Sequence, residues 1–281
     1  MKNEKIKEIT SKAIEQLVAA LNKGRSEALT AYLSAMAKFH RYSFRNVMLI
    51  AMQKPTATHV AGFHAWNRLR RFVKKGEKGI LIIAPIVRRK ETAEAQEPET
   101  AEECSVVAFR GAYVFDISQT DGQPLPEIAG VQGNPRESLE RLKTLADDKG
   151  IALEFSEDIA PARGTSAGGK ITLLPGQAPA EEFATLAHEL AHEMLHRDER
   201  RNGTSKSVRE TEAEAVSFVV CSAIGLEAGT AAQDYIQLYE GDAKLLTESL
   251  DRIQQTASRI LTAIAPDASS GQPIRNSVPI L

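Results

Sequence analysis

The sequence predicts an α+β protein of two domains, and three observations carry that reading. Helical periodicity dominates both ends of the 281 residues, β-branched runs sit between them, and residues 119–135 are broken repeatedly by Gly and Pro. A hydrophobic share of 42% is enough for packed cores and excludes a disordered or collagen-like chain. The broken stretch places the boundary between residues 1–130 and residues 131–281.

In the first domain the apolar spacing predicts helices over 2–21, 26–38 and 43–52, the last stopped by Pro55. A short amphipathic piece at 61–72 carries Trp66. The turn Lys74-Lys75-Gly76-Glu77-Lys78-Gly79 feeds a β-branched run at 80–87; it lacks the Gly-Lys-Ser/Thr ending of a phosphate-binding loop. Residues 88–104, rich in Ala, Glu and Thr, have the composition of a flexible, solvated insert. Strands return at 105–109 and 112–117. The second domain starts with a helix at 135–149 closed by Gly150, followed by a strand at 151–155. Segments 162–166 and 170–174 flank the turn Ala167-Gly168-Gly169 as a hairpin. Helices are predicted at 180–196, 208–224, 230–237 and 243–264, before a tail rich in Pro, Ser and Gly.

Two cysteines, Cys104 and Cys221, are too few for a disulfide framework or an all-cysteine zinc site. The longest apolar runs fall far short of the roughly 18 residues of a membrane helix, and the charged start has no apolar signal region. A cytoplasmic protein without a membrane partner is the expectation. The formal net charge of −2 conceals a polarity: residues 1–90 hold 19 Lys and Arg against 5 Asp and Glu, whereas residues 131–281 hold 15 against 23. A basic first third points to a polyanion-binding part joined to something else.

The sharpest chemical signal is His188-Glu189-Leu190-Ala191-His192 within a predicted helix. Spacing of i and i+4 puts both imidazoles on one face, where they can chelate one cation. Glu189, about 100° round the helix from His188, borders the open side of such an ion and can serve as acid and base toward water. A third protein ligand is needed, and the next helix offers Glu210 and Glu214 on a shared face, with Glu212 pointing elsewhere. Glu210 is the chosen ligand, and Glu214, one turn deeper, the acceptor for a ligand imidazole. Glu214 as the ligand stays open, as does a local reason for Glu210, because Ser207-Val208-Arg209-Glu210 spells a capping box. His196 continues the i+4 ladder and is assigned to a supporting role behind the ligands.

The first domain gathers Arg41, Arg45, Arg70, Arg71, Lys74, Lys75 and Lys78 with Tyr42, Trp66 and further aromatics. Cations track phosphates and aromatic faces stack on unpaired bases, so this combination fits single-stranded DNA better than duplex. A packed aromatic core with a basic rim would read the same way.

Residues 42–50, 57–63, Trp66, 73–80 and 113–120 resemble the N-terminal domain of ArdC-type antirestriction proteins. Residues 188–196 and 209–225, with Asp234-Tyr235-Ile236 and Gly241-Asp242, resemble the metallopeptidase half of the same family, related to the ImmA/IrrE zincins. The resemblance implies a single-strand-binding N-terminal domain followed by a minimal zincin-like metallopeptidase domain, and a role on mobile elements in shielding incoming DNA from restriction. It implies zinc, or manganese or another divalent cation, held by His188, His192 and Glu210, with Glu189 as acid and base. It also implies that residues 170–174 form an edge strand able to pair with an extended protein substrate, whose identity the sequence does not name. The alternative is a non-proteolytic DNA-binding shield whose metal site is structural or vestigial.

Overall fold

The computed structural model describes residues 2–23, 26–89, 104–124, 135–197, 203–226 and 242–265. The predicted helix at 230–237, the tail and most of the 88–104 insert lie outside these residues. The described chain divides into two compact units, one drawn from residues 2–13 and 48–123, the other from residues 14–47 and 124–265. Helices α1 (Lys2–Asn22) and α3 (Phe44–Gln53) each contribute residues to both.

The first unit is built on two small antiparallel sheets. β1 (Val60–Gly62), β4 (Cys104–Asp116) and β3 (Ile80–Arg89) pair in the order β1-β4-β3, and β2 (Arg71–Val73) pairs with β5 (Thr120–Gly122). β3 and β4 run in register from Ile80 opposite Val114 to Arg89 opposite Cys104, with an irregularity at Ile86/Val87. The two strands expected at 105–109 and 112–117 are thus one long strand. The amphipathic piece at 61–72 is corrected too: only α4 (Phe63–Arg68) is helical, with β1 before it and β2 after it. Arg70 takes a left-handed φ of 54° to turn the chain from α4 into β2. A Cβ on Gly122 would lie 2.3 Å from the Arg70 carbonyl oxygen, so the close pairing of β5 requires glycine there.

Ile6, Leu49 and Leu81 form a buried cluster, with Ile9 and Ile83 packed against it. Gln53 clasps the strand beside it: its Nε2 donates to the Leu81 carbonyl at 2.8 Å and its Oε1 accepts from the Leu81 N–H at 2.9 Å. Asp116 caps the short 3₁₀ turn at Ile117–Gln119 and also accepts from the Thr58 and His59 N–H groups. That array of donors holds its carboxyl below the usual range, against the opposing effect of burial.

The second unit packs helices against a three-stranded sheet. Its elements are α2 (Ser26–Lys38), α5 (Pro135–Asp148), β6 (Ala152–Phe155), β7 (Gly164–Ser166), β8 (Lys170–Leu173), α6 (Pro179–Leu195), α7 (Lys206–Ala223) and α8 (Ala243–Ile264). Strand order is β6-β8-β7, with β6 parallel and β7 antiparallel to β8. The expected edge strand at 170–174 is therefore the central strand, because Leu153 and its neighbours pair with its far side; β7 is the edge beside α6. α8 buries Leu246, Leu250, Ile253, Ala257, Ile260 and Ile264, a spacing of three and four that turns one stripe to the core. Phe183, Leu186, Ala187 and Leu190 of α6 and Val216, Val219 and Val220 of α7 are also buried. Burying side chains of this size stabilises by roughly 1.5–3 kcal/mol each, which makes α6 and α7 a firm base for the side chains between them. No helix among the described residues is long and apolar enough to cross a membrane.

Candidate metal centre

Pro179 at the first position and Glu181 and Glu182 in the first turn start α6 favourably, with no chemistry assigned to the two acids. His188 and His192 project from the face of α6 that meets α7. Their Nε2 atoms lie 3.1 Å apart, and Glu210 Oε2 of α7 lies 3.6 Å from His188 Nε2 and 3.4 Å from His192 Nε2. A tetrahedral ion bound at about 2.05 Å separates its ligand atoms by about 3.3 Å, so this triangle fits one small dication. Among the described residues these three form the group whose donor atoms all lie within 4.8 Å of one another. Two neutral nitrogens and one carboxylate oxygen suit zinc or a similar first-row ion.

The carboxylates of α7 separate according to its pitch. Glu214 Oε2 lies 3.5 Å from His188 Nδ1, on the side away from the triangle. α7 begins at Lys206, and its cap is Ser205, whose Oγ accepts from the Val208 N–H at 3.2 Å. The capping box expected at Ser207 is therefore absent, since the helix starts earlier, and Glu210 stands beyond the first turn.

Glu189 is buried, and burial raises its carboxyl pKa; Glu210 and Glu193 add to the rise while His188 and a hydrogen bond from Ser166 oppose it. β7 crosses directly over this side chain. A Cβ on Gly164 would lie 2.6 Å from Thr185 Cγ2, 2.9 Å from Glu189 Cγ and 3.1 Å from Glu189 Oε1. Sequence reasoning missed Gly164 because its role arises only when β7 meets α6. Burial, followed by the neighbouring His188, lowers the His192 pKa to about 4, which keeps that imidazole neutral as a ligand must be. At His188 burial works downward, but the hydrogen bond to Glu214 and the charges of Glu189, Glu214 and Glu210 outweigh it and raise the pKa.

Behind the triangle lie groups that the sequence reading left without a partner. His196 caps the end of α6, with its Nδ1 3.2 Å from His192 Nδ1 and its Nε2 2.8 Å from Glu212 Oε2. The Ser249 hydroxyl of α8 donates to Glu212 Oε1 at 2.5 Å. Glu193, also buried, accepts from the N–H groups of Gly168 (3.0 Å) and Gly169 (2.7 Å) and from Arg197, tying the β7–β8 turn to α6. A Glu on the apolar side of α7 is the signal that would have pointed to Glu212.

The basic and aromatic residues divide between the two units. Arg41, Tyr42 and Arg45 belong to the second unit, and Trp66, Arg70, Arg71, Lys74, Lys75 and Lys78 to the first. Trp66 as a base-stacking residue is overturned: it is 2% exposed, and its Nε1 donates to the Phe115 carbonyl at 2.9 Å. Arg71 is held by Thr120 and the Gly122 and Gln123 carbonyls, which makes it a clamp on β5. Lys74 donates to the Ser118 carbonyl at 3.1 Å and pairs with Asp121 at 3.5 Å. Tyr42 is half-buried edge-on to Phe39, whereas Arg41, Arg45, Arg70, Lys75 and Lys78 are exposed. Phe63, Phe72 and Phe109 are large exposed aromatics of the first unit.

Residues 3–115 match the family model of the N-terminal domain of anti-restriction factor ArdC. Over 306 aligned positions the chain is 27% identical to a Bacillus anthracis protein named Uncharacterized protein pXO2-81, covering 93% of this chain and 52% of that protein. The chain thus spans about half the length of that curated relative. In three dimensions it is similar to the metal-free crystal structure of the antirestriction ArdC protein from the R388 plasmid: TM-score 0.52, 20% identity, 90% of this chain and 96% of that one. The Mn(II)-bound structure of the same protein aligns at a TM-score of 0.46 with 20% identity, over 80% of this chain and 90% of that one. Residues 3–115 thus match the N-terminal domain of ArdC, and the chain shares the fold of the R388 ArdC protein.

Proposed function

We propose that this chain is an antirestriction protein that holds single-stranded DNA through its first domain and hydrolyses peptide bonds at a divalent-metal site in its second. The observation that carries the enzymatic half is the triangle of His188, His192 and Glu210 donor atoms with the buried Glu189 carboxyl beside it. When bound, a dication polarises a carbonyl and makes water more acidic. Glu189 then performs the proton work: its raised pKa suits it to accept a proton from the water that adds to the peptide carbonyl. As the C–N bond breaks it returns that proton to the leaving amine. His188, His192 and Glu210 hold the cation, Glu214 orients the His188 ring, and the edge of β7 lies where an extended peptide can align over Glu189.

The test is zinc content and peptide turnover of wild type beside His188→Ala and Glu189→Gln. Wild type is expected to carry close to one equivalent of zinc and to turn over peptide. Glu189→Gln should keep the metal and lose turnover; His188→Ala should lose both. Full turnover by both variants would overturn the assignment. Protection from restriction retained by Glu189→Gln would instead establish the non-proteolytic shield.

The excess of cations in residues 1–90 supports the DNA half, together with exposed Arg41, Arg45, Arg70, Lys75 and Lys78 and exposed Phe63, Phe72 and Phe109. With Trp66 in the core, the phenylalanines are the candidates for stacking. Oligonucleotide binding should fall steeply with salt and weaken on Phe72→Ala. Salt-insensitive binding, or none, would remove this half.

A further inference from the structure

The protons behind the metal triangle can be placed one by one. To hold a cation, His192 Nε2 must present a lone pair, so the single N–H of the neutral ring belongs on Nδ1. That nitrogen lies 3.2 Å from His196 Nδ1, which must therefore be bare to accept it. The N–H of His196 is then on its Nε2, 2.8 Å from Glu212 Oε2, an acceptor. The other Glu212 oxygen accepts from Ser249. The opposite His196 tautomer would set two N–H groups face to face at His192 and turn a lone pair onto a carboxylate oxygen. One arrangement of protons thus satisfies all three contacts, and it leaves His192 Nε2 open toward Glu210 and His188. The chain is dry: His196 and Glu212 are each 1% exposed and Ser249 is 3% exposed, so water is not at hand to substitute for any member.

We infer that Glu212, supported by Ser249 and acting through His196, is a positioning residue that fixes the tautomer and ring orientation of the metal ligand His192. The inference rests on the metal reading of the triangle. It gives α8 a part in the site, since Ser249 brings that helix to the end of the relay. The neighbouring ligand is served differently, by the carboxylate of Glu214 directly at His188 Nδ1. One imidazole therefore has a single-step orienter near the surface and the other a two-step orienter in the core.

The test uses the full chain. Zinc affinity is measured by competition with a chromophoric chelator, and the His192 tautomer is read from imidazole nitrogen-15 spectra of zinc-free protein. Glu212→Leu removes the acceptor, frees His196 to turn its N–H toward His192, and should weaken zinc binding about 10–100-fold. The His192 spectrum should then gain the Nε2–H form. Glu212→Gln can offer its carbonyl oxygen to His196 and its amide to Ser249, and should restore affinity to within about threefold of wild type. Ser249→Ala, the mildest change, should weaken zinc several-fold and decides the matter if Glu212→Leu does not fold. Unchanged affinity and an unchanged His192 tautomer in Glu212→Leu or Ser249→Ala, even with a lowered melting temperature, would reduce Glu212 to a structural staple and overturn the inference. Wild type that binds no zinc would instead sink the metal reading, while the zinc-free spectra would still judge the relay.

Discussion

Gly164→Ala adds one methyl group at the point where β7 crosses α6. Its Cβ would sit 2.6 Å from Thr185 Cγ2 and 2.9 Å from Glu189 Cγ. Carbon atoms settle at about 3.5–4.0 Å, so roughly 1 Å of separation has to be found. Two sources are available: the strand can lift, or the Glu189 side chain can swing away. Neither is free, because Glu193 pins the adjoining turn by two backbone N–H groups and Glu189 is itself buried. Overpacking of this kind costs about 1–3 kcal/mol, equivalent to a fall in melting temperature of roughly 2–10 °C for a domain of this size. A catalytic group displaced by about 1 Å loses on the order of 100-fold in rate. The methyl touches none of the three donor atoms, so zinc affinity should stay within about threefold of wild type. The assay is kcat/KM for a peptide, zinc binding by chelator competition and a melting curve on the same preparation. Full turnover with an unchanged melting curve would refute the claim that β7 sets the position of Glu189. Loss of zinc in parallel with turnover would refute the separation of the base from the ligands.

Trp66→Ala should act on folding, costing about 3–5 kcal/mol in the thermal unfolding of the first unit. Lys75→Ala with Lys78→Ala should leave the melting curve alone and lower the salt slope of single-strand binding by roughly 0.7 per charge removed. Chelation should lower the melting temperature of loaded protein, since ligand at 100 times its Kd stabilises by about 2.7 kcal/mol; equal curves with and without chelator would argue against binding in the folded state. The zinc-free protein should lose stability as pH falls from about 6.5 toward 4. Over that window the unfolded chain takes up a proton that His192, with a folded pKa of about 4, refuses. The raised pKa of His188 works the other way, adding stability as pH falls toward about 6.5 and so mostly above this window; His192→Gln should remove the loss below it.

The approach of two imidazoles was legible because it depends on helical spacing alone, and the same spacing narrowed the acids of α7 that can face them to Glu210 and Glu214. Features that depend on nonlocal pairing were not. Phe63, Trp66 and Phe72 follow one another at a spacing that fits a core and a stacking surface equally. Only the pairing of β1 with β4, which carries the Phe115 carbonyl to Trp66, shows which of them is buried. The centre of the second sheet was misread for a related reason. Residues 170–173 do form the hairpin with β7, but β6, nearly twenty residues earlier, returns parallel on the other side and takes the edge away. The α7 start was read two residues late because Ser205 and Ser207 are both capping residue types.

The fate of the five glutamates of α6 and α7 that lie around the triangle follows from where each is buried and what meets it. Glu193 is answered by two backbone N–H groups and Arg197, and Glu212 by His196 and Ser249. Glu189, Glu210 and Glu214 lie beside the ligand histidines His188 and His192, and of these only Glu189 is deeply buried. Carboxylates converging on the two rings give the donor triangle a negative potential, strongest where solvent is least able to screen it. Such a potential favours a dication over a monovalent ion. It also raises the affinity of Glu189 for a proton, as Glu210 and Glu193 do here in addition to burial. The same charges therefore serve two ends, drawing a cation to three donors and keeping one carboxyl poised to take a proton.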